Sequence, residues 1–170
     1  METKIGFYGH NEEIRTSMFS VLEDFRLKLA LKGFEESAEN PSLLRNLDAG
    51  DDYILCLNPK GLCSIETLVP YDIVFVHPFR PTFKLPEDYS ESEREELKIC
   101  WDSCEGIFSE NLSTFFYVFS LDFGDQSEPA LRDIGFRYGN VCVLDRDEPF
   151  RDFSRDPIGH LEQSLRTLRA

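Results

Sequence analysis

A chain of 170 residues is the length of one domain, and 41% apolar residues with 15 phenylalanines supply a core, so disorder is excluded as the source of its high charge. The 32 acidic against 18 basic residues leave a formal net charge of −14, which repels nucleic-acid phosphates and anionic lipid. No apolar run has the length to span a bilayer and no charged-then-apolar leader opens the chain, so a soluble, cytoplasmic, single-domain protein is expected, with no nucleic-acid or membrane partner.

Lys4-Ile5-Gly6-Phe7-Tyr8 predicts a short strand, and Gly9-His10-Asn11 leads directly into a helix with Asn11 as N-cap and Glu12 and Glu13 suited to its dipole. Ile14, Met18, Val21, Leu22, Phe25 and Leu29 then recur at helical spacing, and Gly33 stands where a left-handed C-terminal cap belongs. Asn40-Pro41 predicts a cap followed by proline at the first helical position, with Leu43, Leu44 and Leu47 as the buried side and Gly50 as the stop. Residues 52–57 and 72–76 are continuous apolar runs, the pattern of strands covered on both faces. Asn58-Pro59-Lys60-Gly61 is a turn between them, and Ser64 to Leu68 makes one helical turn ended by Pro70.

His77 opens a proline-rich stretch, with Pro78, Pro81 and Pro86, that forbids regular structure and favours a stiff, extended loop. Ser90 with Glu93 is a capping box, starting a helix in which Leu97, Cys100, Trp101 and Cys104 share one face before Gly106 ends it. Residues 114–119 form the third buried strand, 127–134 a short helix stopped by Gly135, and 140–144 the last strand. Asp156 capping Pro157 starts a terminal helix with Ile158, Leu161, Leu165 and Leu168 on one side.

This alternation predicts an α/β fold: a three-layer sandwich around a mostly parallel, roughly five-stranded, doubly wound sheet in the order 2-1-3-4-5. Little helix separates 53–57 from 72–76, which leaves antiparallel pairing of those two as the alternative.

In such sheets ligands bind beyond the carboxyl ends of the strands, where strand order reverses. That rule gathers His10, His77 and Asp145 as candidate catalytic groups and Gly9, Asn11, Arg80, Asp122 and Arg146 as candidate ligand-binding groups, with Asn58 nearby. Gly6-Phe7-Tyr8-Gly9 lacks dinucleotide-fingerprint spacing, and no Gly-rich loop followed by Lys and Ser or Thr occurs, so no cofactor is expected. Cys56, Cys63, Cys100 and Cys104 lack the close spacing of zinc ligands, so no metal is expected. Cys100 and Cys104 instead sit as buried apolar side chains, and nothing in the sequence sets a base beside either.

Residues 87–105 hold eight Asp or Glu against Arg94 and Lys98, whereas 146–170 hold five acids and five arginines. A negative face is expected, with Glu91, Glu93, Glu95 and Glu96 as its protein-binding residues. The Arg-Asp repeats around Phe150 and Phe153 read as a solvated loop, or alternatively as an arginine–aromatic contact patch. The leading expectation is a protein-binding module that engages a basic partner, as an inhibitor or immunity-type antidote does. The alternative is a small α/β enzyme or sensor acting on a nucleoside or phosphorylated metabolite at the strand ends, and a scaffold or oligomer subunit is a third.

Overall fold

In the computed structural model residues 1–10, 12–58, 71–77, 86–119, 137–144 and 148–170 are described, except for the side chains of 13, 86 and 148–151. The strands are β1 (Glu2–Gly9), β2 (Glu35–Glu36), β3 (Leu43–Asn46), β4 (Asp51–Asn58), β5 (Ile73–His77), β6 (Phe115–Phe119) and β7 (Val141–Leu144). The helices are α1 (Glu12–Leu31), α2 (Glu91–Glu110), α3 (Glu148–Arg155) and α4 (Pro157–Arg169).

The α/β class holds, but among the described residues the sheet is seven-stranded and mixed, in the order β2-β3-β4-β1-β5-β6-β7, in place of the expected five mostly parallel strands. The two extra strands are β2 and β3, and β3 is formed by the segment expected to be a helix after Asn40-Pro41. Asn40 instead makes a turn, its side-chain oxygen accepting from the Ser42 N–H at 3.1 Å, and β3 then pairs antiparallel with both β2 and β4. A free edge on β4 offers backbone hydrogen bonds and a buried place for Leu44, which outweighs the local helix signal, while Leu47 is left exposed. Segments 53–57 and 72–76 do not pair with each other, because β1 lies between them, parallel to both β4 and β5.

Alternate residues feed two cores. Phe7, Phe75, Tyr117 and Leu144 point toward α1, α3 and α4, and Tyr8, Val74, Val76, Phe116 and Val118 point toward α2. Burial on both faces holds for β5 and β6, whereas on β4 only Tyr53 and Leu55 are buried. α1 closes as a Schellman motif: Phe34 N–H donates to the Leu29 carbonyl at 3.1 Å and Gly33 N–H to Ala30 at 3.1 Å, with Gly33 at φ 90°. α2 has the capping box formed by Ser90 and Glu93, but it runs through Gly106 to Glu110. Burying Phe108 against Phe116 outweighs the roughly 1 kcal/mol that a mid-helix glycine costs.

Segment 148–155 is a helix and not the expected solvated loop. Phe153 is buried among Phe25, Phe75, Tyr117 and His160, so it is core and not a contact patch. The turn near 64–68, residues 78–85 of the proline-rich stretch and the helix at 127–134 lie outside the described residues, while Pro86, expected to close an irregular loop, opens a 3-10 turn over Pro86–Asp88.

One polar network sits inside the aromatic core. The Tyr117 hydroxyl lies 2.8 Å from His160 Nδ1 and 2.7 Å from Ser164 Oγ. Burial holds the His160 imidazole below its ordinary 6.5, so the unfolded chain binds more protons at this residue than the folded one. Its contribution to stability is therefore present above about pH 6.5 and is lost as pH falls toward the lowered folded value. In urea titrations across roughly pH 5 to 8, His160→Asn should remove this acid-side fall; an unchanged pH slope would sink the assignment.

Candidate functional site

β1 and β5 end side by side. Gly9 pairs with His77, and the His10 backbone N–H donates to the His77 carbonyl at 3.3 Å. A side chain at Gly9 would lie 2.6 Å from the Arg15 backbone nitrogen, so only glycine lets the strand end meet the first turns of α1 this closely. Strand alternation places His77 on the Phe75 side of the sheet, whereas His10 continues on the Tyr8 side, toward α2. The two histidines share an edge and not a face.

α2 runs back along the sheet with its amino-terminal turns at this edge. Glu96 and Cys100, four residues apart, stack on one side of the helix. The His10 ring lies between them: Nδ1 is 3.7 Å from the Cys100 sulfur, and Nε2 is 3.9 Å from Glu96 Oε1. Cys100 is buried at 3% exposure, while the His10 side chain keeps 24%. The Cys100 hydrogen bond and, less strongly, the Glu96 carboxylate raise the imidazole above its ordinary 6.5 against the opposing pull of burial.

Of the expected ligand and catalytic residues, Gly9, His10 and His77 meet at this edge, whereas Asn11, Arg80, Asp122, Asp145 and Arg146 lie outside the described residues. The four glutamates divide by role. Glu93 is taken up by the capping box, accepting from the Ser90 N–H at 3.2 Å. Glu96 faces His10, and Glu91 and Glu95 are exposed with no ion pair among the described residues. Glu96 thus joins the first turns of α2 to the His10 end of β1.

Sequence reasoning missed Cys100 as the partner of His10. Its apolar helical face pointed to a buried structural cysteine, and 90 residues separate the pair. It also missed a cleft of about 560 Å³ at the opposite, amino-terminal edge, lined by Thr3, Asp51, Tyr53, Glu162, Arg166 and Arg169. There burial, then Glu162 and Asp51, push the Tyr53 hydroxyl up to about 12. Among the described residues no group of His, Cys, Asp or Glu is placed to hold a metal ion, and no helix is long and apolar enough to cross a membrane.

The fold and site define an α/β sandwich with a mixed sheet and an acidic, histidine-bearing strand edge. No family model, curated protein or solved structure matches the chain.

Proposed function

We propose that the chain is a cytoplasmic protein-binding module whose acidic α2 face engages a basic protein, in the manner of an inhibitor or immunity-type antidote. The observation that carries this reading is that Glu91 and Glu95, next to Glu96 on the first two turns of α2, stand exposed with no ion pair among the described residues. The helix dipole accounts for an acid in the first turn, as at Glu91, but its effect fades before Glu95 and Glu96. Those carboxylates can steer and pair with cationic groups of a partner, so association should slow steeply with salt.

The other reading, a small enzyme or sensor for a nucleoside or phosphorylated metabolite, draws on His10 and His77. The first turns of α1 and α2 at this edge carry Glu12 and Glu91, which oppose a phosphate, and the two histidines point to opposite faces. Both observations favour the basic protein.

Wild-type chain and a Glu91→Gln/Glu95→Gln/Glu96→Gln variant, each immobilised, are compared for capture from a lysate of the native host. The expected result is a basic protein held by the wild type at low salt, released as salt rises and lost on the variant. Equal capture by the variant would overturn the proposal. A nucleotide or sugar phosphate at 100 times its dissociation constant should add about 2.7 kcal/mol of stability if the other reading holds, and thermal shift measures it.

A further inference from the structure

Three groups with complementary chemistry are lined up across two elements at the strand edge. α2 supplies Cys100 and, one turn earlier, Glu96; the end of β1 supplies His10 between them, with one ring nitrogen toward the sulfur and the other toward the carboxylate. A nucleophile within reach of a base, and that base held by a third group, is the arrangement that activates a thiol. The backbone that carries the imidazole is held in place, because Gly9 packs on the backbone of Ile14 and Arg15 and the His10 N–H is tied to the His77 carbonyl.

We propose that Cys100 is a nucleophilic thiol that reacts with hydrogen peroxide, with His10 as its base and Glu96 as the residue that positions the imidazole. The reagent must be small. The Cys100 side chain is almost fully buried and the His10 ring against it is only partly exposed, which favours a molecule of two heavy atoms over a disulfide or a peptide. The proton on the Cys100 sulfur passes to His10 Nδ1, and the thiolate attacks one peroxide oxygen. The S–O bond forms as the O–O bond breaks; sulfur is oxidised to the sulfenic acid and the peroxide is reduced. The departing hydroxide takes the proton back from His10 and leaves as water, so the imidazole is regenerated.

A His10 imidazole raised above 6.5 can hold and return that proton nearer neutral pH than an ordinary histidine. Among the described residues the titratable groups that meet the imidazole are Cys100 and Glu96 on α2, and from α1 the Arg15 backbone packs against the neighbouring Gly9. Cys104, one turn further along α2 and buried at 1% exposure, is the comparison thiol on the same helix. Peroxide reactivity is read on the chain alone, with no basic partner bound to Glu96.

The test is a short peroxide pulse on the full chain, quenched with catalase and followed by unfolding in urea with dimedone, so that trapping does not depend on access. Mass spectrometry then counts the sulfenic adduct at Cys100 and at Cys104 as a function of pH. Cys100 should react at least about tenfold faster than Cys104, with an inflection below the roughly 8.5 of a free thiol. His10→Asn should bring the Cys100 rate down to that of Cys104 and move the inflection up. Glu96→Gln should lower the rate less and shift the inflection in the same direction. Unfolding of the His10 variant would show as a rise in Cys104 reactivity, and in that case the pH shift in Glu96→Gln decides: a shifted inflection supports the proposal and an unshifted one overturns it. Equal rates at Cys100 and Cys104 in the wild type, or an unchanged profile in a folded His10→Asn, would also overturn it.

Discussion

Phe75→Ala should lower the unfolding free energy by about 3–5 kcal/mol, a large share of the roughly 5–15 kcal/mol that holds a domain folded. Phe75 is fully buried at the centre of the larger core. Its ring stacks on Phe7 at 5.1 Å and on Tyr117 at 5.0 Å, and it meets Phe25 at 5.4 Å and Phe153 at 5.8 Å. Because these partners come from two neighbouring strands and two helices, no single one can move to fill the space, and the cavity term should be near the top of its range. Denaturant unfolding measures the loss, with Phe75→Leu as the smaller change of the pair. A loss under about 1 kcal/mol would mean that the aromatic cluster collapses freely and is not close-packed.

Asn140→Asp should cost at least about 3 kcal/mol at neutral pH. The buried Asn140 amide nitrogen shares its two hydrogens among three backbone carbonyls, those of Phe108 at 3.2 Å, Asn111 at 3.2 Å and Thr114 at 3.1 Å. It ties the end of α2 to the starts of β6 and β7. A carboxylate in its place would aim negative charge at three carbonyl oxygens in a dry site, so the variant would have to bury a charge or take up a proton. Its deficit should therefore shrink as pH falls through the acid range, which separates it from Asn140→Ala, whose deficit has no such dependence. Since α2 carries Glu96 and Cys100, loosening its far end should also weaken their alignment with His10. Chemical denaturation at two pH values checks the first statement; a deficit that does not change with pH would sink it.

Short-range chemistry was legible wherever one element contained the whole signal. Ser90 and Glu93 cap α2, Asp156 and Pro157 open α4, and Gly33 closes α1, because each of these motifs is satisfied within a few residues. The apolar residues 73–76 and 115–119 became fully buried strand segments for a similar reason, since a segment with no polar side has no face to offer to water, whereas the run at 53–57 buried only Tyr53 and Leu55. Where the sequence misled, a distant partner decided. Asn40-Pro41 has the composition of a helix start, but the open edge of β4 drew residues 43–46 into β3, which in turn pairs with β2. Gly106 has the composition of a helix stop, but Phe116 gave Phe108 a reason to continue the helix.

The amino-acid sequence by itself determined the α/β class, the positions of most helices and strands, and the excess of negative charge, since these arise from periodicity, caps and composition. Only the tertiary structure decided that β1 lies between β4 and β5, that His77 and His10 face opposite sides of the sheet, and that His10 stands between Glu96 and Cys100. The physical reason is chain separation. Residues 90 positions apart carry no mutual pattern in the sequence, and they meet only because the sheet order and the packing of α2 bring the end of one strand against the face of one helix.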